Sequence, residues 1–196
     1  MTPCDSATAI IKQEHRSLGY LVHMLQRVLR EVSAHKADAD YGLIATMLYY
    51  VDVFPDSCHH PKEEGHLFKR LRSRTRLADG VLDLLQKQHL VFTTMITTMG
   101  QAFVHWQGGA PNGFQPFSQA VNAYADLLRD HAEQEENVVL VMAREHLPAD
   151  DWCAINDAFC ANDDPLFGPH IRDEFTKLRF RIANDLPRDV SAWPAR

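Results

Sequence analysis

A histidine interrupts each of four apolar stripes written at helical spacing, and that recurrence constrains the fold more than any other feature of the sequence. In the first stripe Ile10, Ile11, Leu18, Leu21, Val22, Leu25, Val28, Leu29 and Val32 repeat at steps of three and four, the period of an amphipathic helix, and His15 falls between Ile11 and Leu18. A second, over 40–74, carries Leu43, Ile44, Met47, Leu48, Val51, Leu67, Phe68 and Leu71, with His59 and His60 near its middle. A third, over 77–106, carries Val81, Leu84, Leu85, Phe92, Ile96, Met99 and Phe103, with His89 between Leu85 and Phe92. The fourth, over 117–146, carries Val121, Tyr124, Leu127, Leu128, Val138, Val139, Leu140 and Met142, with His131 on it.

The boundaries follow from local chemistry. Asp5 or Ser6 is the expected cap of the first helix, which should end near His35. Pro55 and Pro61 fall inside the second stripe, and each removes a backbone donor. They predict a kink or a π-type bulge between Val53 and Lys62, or else two separate helices. Gly108, Gly109, Pro111 and Gly113 mark a loop, and Pro148 stops the fourth helix. Beyond it, Trp152, Ile155 and Phe159 share one face of a short helix. A break over 162–169, a last helix from His170 to Asn184, and an end frayed by Pro187 and Pro194 complete the reading. Four long helices with short connections predict an all-α, antiparallel up-down four-helix bundle with additional C-terminal helices. The bundle and short extra helix are expected over 5–162, with a helical tail over 163–196 packed on them.

Composition narrows the function. The net charge of −6 argues against a nucleic-acid partner. The one basic run, Lys69, Arg70, Arg72, Arg74 and Arg76, lies at an expected helix end, where cations complement the dipole. Cys4, Cys58, Cys153 and Cys160 form no Cys-x-x-Cys pair and read as reduced thiols of a cytoplasmic protein. Residues 1–10 lack the apolar core of a signal peptide, and no stretch of 18 apolar residues suggests a membrane span.

Two strings carry the chemistry. His59-His60-Pro61-Lys62-Glu63-Glu64 and His131-Ala132-Glu133-Gln134-Glu135-Glu136 each place a glutamate four residues after a histidine, hence on one helix face. In each, two apolar residues come four and five positions after that glutamate, so the face meets the core. His60 with Glu64 has the same spacing; His59 with Glu63 is favoured because Glu63 stands four before Leu67, as Glu135 stands four before Val139, and the alternative stays open. Four imidazoles and two carboxylates inside one bundle are costly without partners. Metal ions satisfy them, and mixed imidazole and carboxylate donors suit iron, zinc or manganese. Glu133 and Glu136 are expected to be solvated or to orient a histidine. Tyr20, Tyr49 and Tyr124 are phenols within reach of such a core, Cys58 is a small filler or a redox-sensitive thiol, and His23 is expected to be structural.

The order His, His-x-x-x-Glu, His, His-x-x-x-Glu resembles the hemerythrin-like, or HHE cation-binding, family over about residues 10–170. The strings 59–64 with Leu67-Phe68, and Asp164-Pro165-Leu166-Phe167-Gly168, look like a bacterial branch of it. The resemblance implies metal ligands at His15, His59, Glu63, His89, His131 and Glu135, with the glutamates bridging two iron ions. It also implies a small-molecule ligand: oxygen, peroxide or nitric oxide. Oxygen-carrying members have a second histidine one turn after the first on helix three, where this chain has Thr93. They end on an Asp five after the last histidine rather than a Glu four after. An open coordination position is therefore expected, pointing away from reversible oxygen storage and toward redox chemistry, metal sensing or iron handling. Other readings are a sensor without turnover, and a metal-free interaction bundle in which Trp152, Phe159 and Phe175 form a homodimer face.

Overall fold

The computed structural model describes residues 1–161, 164–168 and 170–185. Residues 162, 163 and 169 of the expected break, and Pro187 and Pro194 of the expected frayed end, lie outside them.

Helix α1 is Pro3–Ser33. It starts earlier than Asp5 or Ser6 because Thr2 caps it: the Asp5 N–H donates to the Thr2 hydroxyl at 3.1 Å, and Pro3 occupies the first turn, where its missing donor costs nothing. It ends two residues before His35, which takes a left-handed φ of 54°. Helix α2 is a continuous run over 41–74: Tyr41–Phe54, a π segment Pro55–His59, one turn His60–Lys62, a second π segment Glu63–Phe68, and Lys69–Arg74. The expected bulge is present and the helix is not split in two; the second bulge was not expected. Helix α3 is Asp79–Gln107. Helix α4 runs over 114–146 as Phe114–Gln134, a third unexpected π segment Glu135–Val139, and Leu140–His146. Helix α5 is Ala149–Cys160; a 3-10 turn, Asp173–Phe175, leads into α6, Thr176–Asp185.

Helices α1 and α3 each pack on both α2 and α4, which closes the four into a bundle. Short connections between neighbours make it antiparallel. Helix α5 lies along α1 and the second π segment, and α6 packs on α2. Trp152, Phe159 and Phe175 are all buried within the chain, so the expected dimer face is internal. The basic run is paired: Arg72 reaches Asp79 and Asp83, Arg70 and Arg74 reach Asp151, and Arg76 reaches Asp79. No helix among the described residues is long and apolar enough to cross a membrane.

The core is two apolar clusters. One gathers Leu18, Phe54, Phe92 and Leu128 with the tail residues Leu166, Phe175, Leu178 and Ile182. The other gathers Ile11, Leu67, Leu85 and Val139 with Trp152 and Phe159 of α5. On every bundle helix the chain crosses from one cluster to the other through a layer of buried polar residues.

Candidate metal centre

The polar layer holds His15, His59, Glu63, His89, His131 and Glu135, each at most 5% exposed, and also His60 at 6%. The π segments explain how α2 and α4 deliver them. In an ordinary helix each residue turns about 100°, so neighbours point in different directions. In the first π segment the His60 N–H reaches back five residues to the Pro55 carbonyl, adding one residue to the turn. His59 and His60 both enter the bundle from this widened turn, His59 beside Glu14 of α1 and His60 against His89 of α3. Pro61, with no N–H, sits just after this widened turn. In α4 the Leu140 N–H reaches the Glu135 carbonyl, and Val139 and Leu140 both become buried after Glu135.

Each imidazole is held from outside the layer by its Nδ1. His15 Nδ1 lies 3.0 Å from Glu136, His59 Nδ1 2.8 Å from Glu14, and His60 Nδ1 3.2 Å from Asp56. His89 Nδ1 lies 2.6 Å from Glu64, and His131 Nδ1 2.9 Å from the Gln88 amide oxygen. Carboxylate and amide oxygens only accept, so each Nδ1 carries a proton and donates it. In the neutral ring Nε2 is then a free lone pair, which is how a ligating histidine is oriented. Lys62 supports this shell by donating to the far oxygen of Glu14 at 2.6 Å.

What the layer presents inward is unsatisfied. Among the described residues, Nε2 of His15, His59, His89 and His131 and both oxygens of Glu63 and Glu135 are buried without a hydrogen-bond partner. They crowd one another: Glu63 Oε1 is 2.8 Å from His59 Nε2 and 3.6 Å from His15 Nε2, while its Oε2 is 3.4 Å from His89 Nε2. Glu135 lies 3.2 Å from His15 Nε2. A buried polar atom left without a partner costs about 1–3 kcal/mol, so these atoms call for a proton or a cation between them. Such an arrangement persists when a cation satisfies it. The donor atoms fall into two groups, each confined within 4.8 Å: His15, His59, Glu63 and Glu135, and separately His60, His89 and His131. Glu63 spans both, since its two oxygens face His59 and His89.

This chemistry is what the hemerythrin HHE cation-binding domain is built on, and the model of that family matches residues 6–143. The chain belongs to this family. No curated protein and no solved structure matches it. The residues present fit the cation binding of a hemerythrin domain: buried, unpartnered, oriented, and divided into two donor groups.

Without a cation, protons take its place. Burial opposes charge on His59, but the Glu63 carboxylate and the bond to Glu14 lift the imidazole to about 9. Burial likewise opposes charge on His15, and Glu135, Glu136 and Glu63 outweigh it, raising that ring well above its usual range. Burial would raise Glu63, yet the imidazoles of His59, His15 and His89 hold it well below the ordinary carboxylate range. Burial and the nearby Glu63 charge push Glu135 up to about 7. His131 is driven well down by burial, with His89, His15 and His60 opposing its charge. The layer thus attracts positive charge beside the two glutamates.

Several groups visible in the sequence take other places. Glu136 orients His15, and Glu133 is exposed, the two alternatives expected for this pair; Glu133 lies on the wall of a cavity of about 240 Å³ that also touches His15, Arg16, Arg129 and Asn137. His23 is half-buried, outside both donor groups. Tyr124 is buried against Phe92, Tyr49 is exposed and stacked on Phe175, and Cys58 packs against the first apolar cluster. Sequence reasoning missed Glu14, Asp56, Glu64 and Gln88 as supporting groups. Glu14 carried a faint signal, since it immediately precedes His15; it is 2% exposed, a place that an unpaired glutamate does not take.

Proposed function

We propose that this hemerythrin domain holds a pair of iron ions and uses them to bind or turn over a small molecule: oxygen, peroxide or nitric oxide. His15, His59, His89 and His131 would hold them as imidazole ligands, with Glu63 and Glu135 as carboxylate ligands. The observation that carries this reading is the set of inward-facing atoms of those six residues, buried with no other partner among the described residues. Zinc or manganese would meet the same donors, but a buried pair of redox-active ions beside a small cavity suits small-molecule chemistry. Iron when bound supplies a Lewis acid and an electron source or sink. The protein's part is separate: Glu136, Glu14, Glu64 and Gln88 fix the ring orientations, and the apolar clusters on both sides exclude bulk water. The cavity beside His15 gives a ligand of a few atoms a way in. Four free thiols fit a reducing cytoplasm, and the strings at 59–64 and 164–168 fit a bacterial source.

The test is the metal content of aerobically purified, untagged protein, followed by reconstitution with ferrous iron. Close to two irons per chain is the expected result. No stoichiometric metal after reconstitution would leave a structural bundle.

A second reading, an iron or redox sensor without turnover, is favoured by one chain of contacts. His59 stacks on Phe54 at 6.0 Å, Phe54 on Tyr50 at 5.3 Å, and the Tyr50 hydroxyl donates to Asp164 in the tail at 3.0 Å. With the bundle taken over 5–162 and the tail over 163–196, metal loading would tighten the described part of that tail, 164–168 and 170–185, on the bundle. Limited proteolysis with and without chelator separates the readings: strong metal-dependent protection of the tail supports sensing, and equal protection supports a fixed scaffold.

A further inference from the structure

Thr93 stands one turn after His89, where the oxygen-carrying members of the family have their second histidine, and in this chain the position is exposed. Its side chain does something else. The Thr93 hydroxyl donates to Asp56 Oδ2 at 3.0 Å, and the other oxygen of Asp56 accepts from His60 Nδ1 at 3.2 Å. His60 lies flat against His89, with ring centroids 3.9 Å apart and planes 13° apart, and its donor atom groups with those of His89 and His131. Two imidazoles stacked so closely inside a protein need their inward nitrogens to share a cation or one of them to stay neutral for packing alone. Phe68 on the other side of His89, and Phe92 against both His60 and His131, face this trio with aromatic carbon, and Glu63 Oε2 approaches it at 3.4 Å from His89 Nε2. Three imidazoles and one carboxylate oxygen in an aromatic wall make a donor set for a cation.

We infer that His60 is the third imidazole of the metal subsite formed by His89 and His131, supplied by α2 in place of the residue that α3 lacks at Thr93. This inference rests on the metal-binding reading above. It changes the composition of the centre: His59 and His60, adjacent in sequence, serve different ions, and the coordination position expected to stand open opposite Thr93 is filled. Both rings stand at the end of the first π segment, where the turn carries one extra residue, and both are buried. Thr93 and Asp56 are positioning residues. The threonine fixes the carboxylate, and the carboxylate fixes the His60 tautomer with Nε2 free for the ion.

The experiment measures metal retention in iron-loaded, full-length protein challenged with a chelator, for the native chain and for His60→Ala, His60→Gln and Asp56→Asn. The native chain is expected to hold both ions. The His60 variants should lose one ion and keep the other at the native rate. Asp56→Asn should weaken that same ion by roughly 10–100-fold, the usual effect of removing a ligand's supporting carboxylate. Far-ultraviolet circular dichroism identifies a variant that has not folded, and Asp56→Asn, at a half-buried position, then carries the test. Retention of both ions at native rates in the folded variants, or equal loss of both, overturns the assignment of His60 and leaves the metal centre standing. A native chain that binds no metal removes the centre and this inference together.

Discussion

At the scale of single residues, the hemerythrin domain separates groups that face the layer from groups that aim them. His131 offers its Nε2 inward with no partner among the described residues, and burial keeps its ring neutral, ready to ligate. His131→Ala should abolish most metal binding and any near-ultraviolet oxo-to-iron band; full occupancy in that variant would sink its assignment as a ligand. The outer residues act less directly. Glu136→Gln keeps a hydrogen-bond acceptor for His15 but removes the negative charge that raises its basicity, so metal affinity should fall by roughly 10–100-fold with the fold intact. Competition with a chromophoric chelator measures this, and an unchanged affinity would mean that His15 needs no carboxylate behind it.

At the scale of elements, the three π segments are the device that converts helix sequence into a site. Each begins or ends on a residue of the polar layer: the first ends at His59, the second begins at Glu63, and the third begins at Glu135. Deleting exposed Ser57 from the first segment would restore an ordinary turn, keeping the downstream part of α2 close to its register but re-aiming His59, which stands inside the widened turn. Helix content by circular dichroism should stay close to native while metal binding is lost; a variant that still loads metal fully would show the bulge to be dispensable. The tail has its own determinant. Asp164 is 2% exposed, accepts from the N–H groups of Leu166 and Phe167 at 2.9 and 2.8 Å, and takes the Tyr50 hydroxyl on its other oxygen. Its carbonyl lies where a Cβ on Gly168 would stand. Gly168→Ala should therefore loosen residues 164–185 from α2, seen as faster proteolysis there, with the metal layer unaffected.

At the scale of the whole molecule, the two apolar clusters are joined through a layer that is stable only when its charges are matched. In the metal-free protein, Glu135 titrates at about 7 against an ordinary 4.5, and His59 at about 9 against 6.5. Both bind protons more tightly folded than unfolded, so their contribution is fully present below the ordinary values and is lost as pH rises through the folded ones. Glu63 acts oppositely, since its lowered pKa favours folding above the ordinary carboxylate range and fails only in acid. Thermal melts of chelator-treated protein should thus fall as pH rises from about 6 to 9, while the metal-loaded protein, in which ions replace those protons, should hold its melting temperature over the same window. Parallel curves for the two forms would mean that the layer is not where the metal binds.

The sequence by itself determined the helices, the bundle and the inward side of each, because apolar spacing and prolines are local signals that packing had no reason to override. It also determined that His15, His59, Glu63, His89, His131 and Glu135 would lie on inward faces, since each sits in register with apolar residues one turn away. The one bulge it announced was the one with Pro55 and Pro61 beside it; the bulges at Glu63–Phe68 and Glu135–Val139 contain no proline and so carry no such local signal. Only the tertiary structure decided the rest. It brought His60 in beside His89 while His59 turns to Glu14 of α1, where the spacing favoured one histidine or the other, because which of two neighbours a wide core admits is decided by the helices around it. It buried Trp152, Phe159 and Phe175 inside the chain rather than on a dimer face, because α5 and the tail had apolar clusters to cover. And it paired each ring with its outer partner across helices, Glu14 with His59 and Gln88 with His131, a matching of residues far apart in the chain that no local pattern encodes.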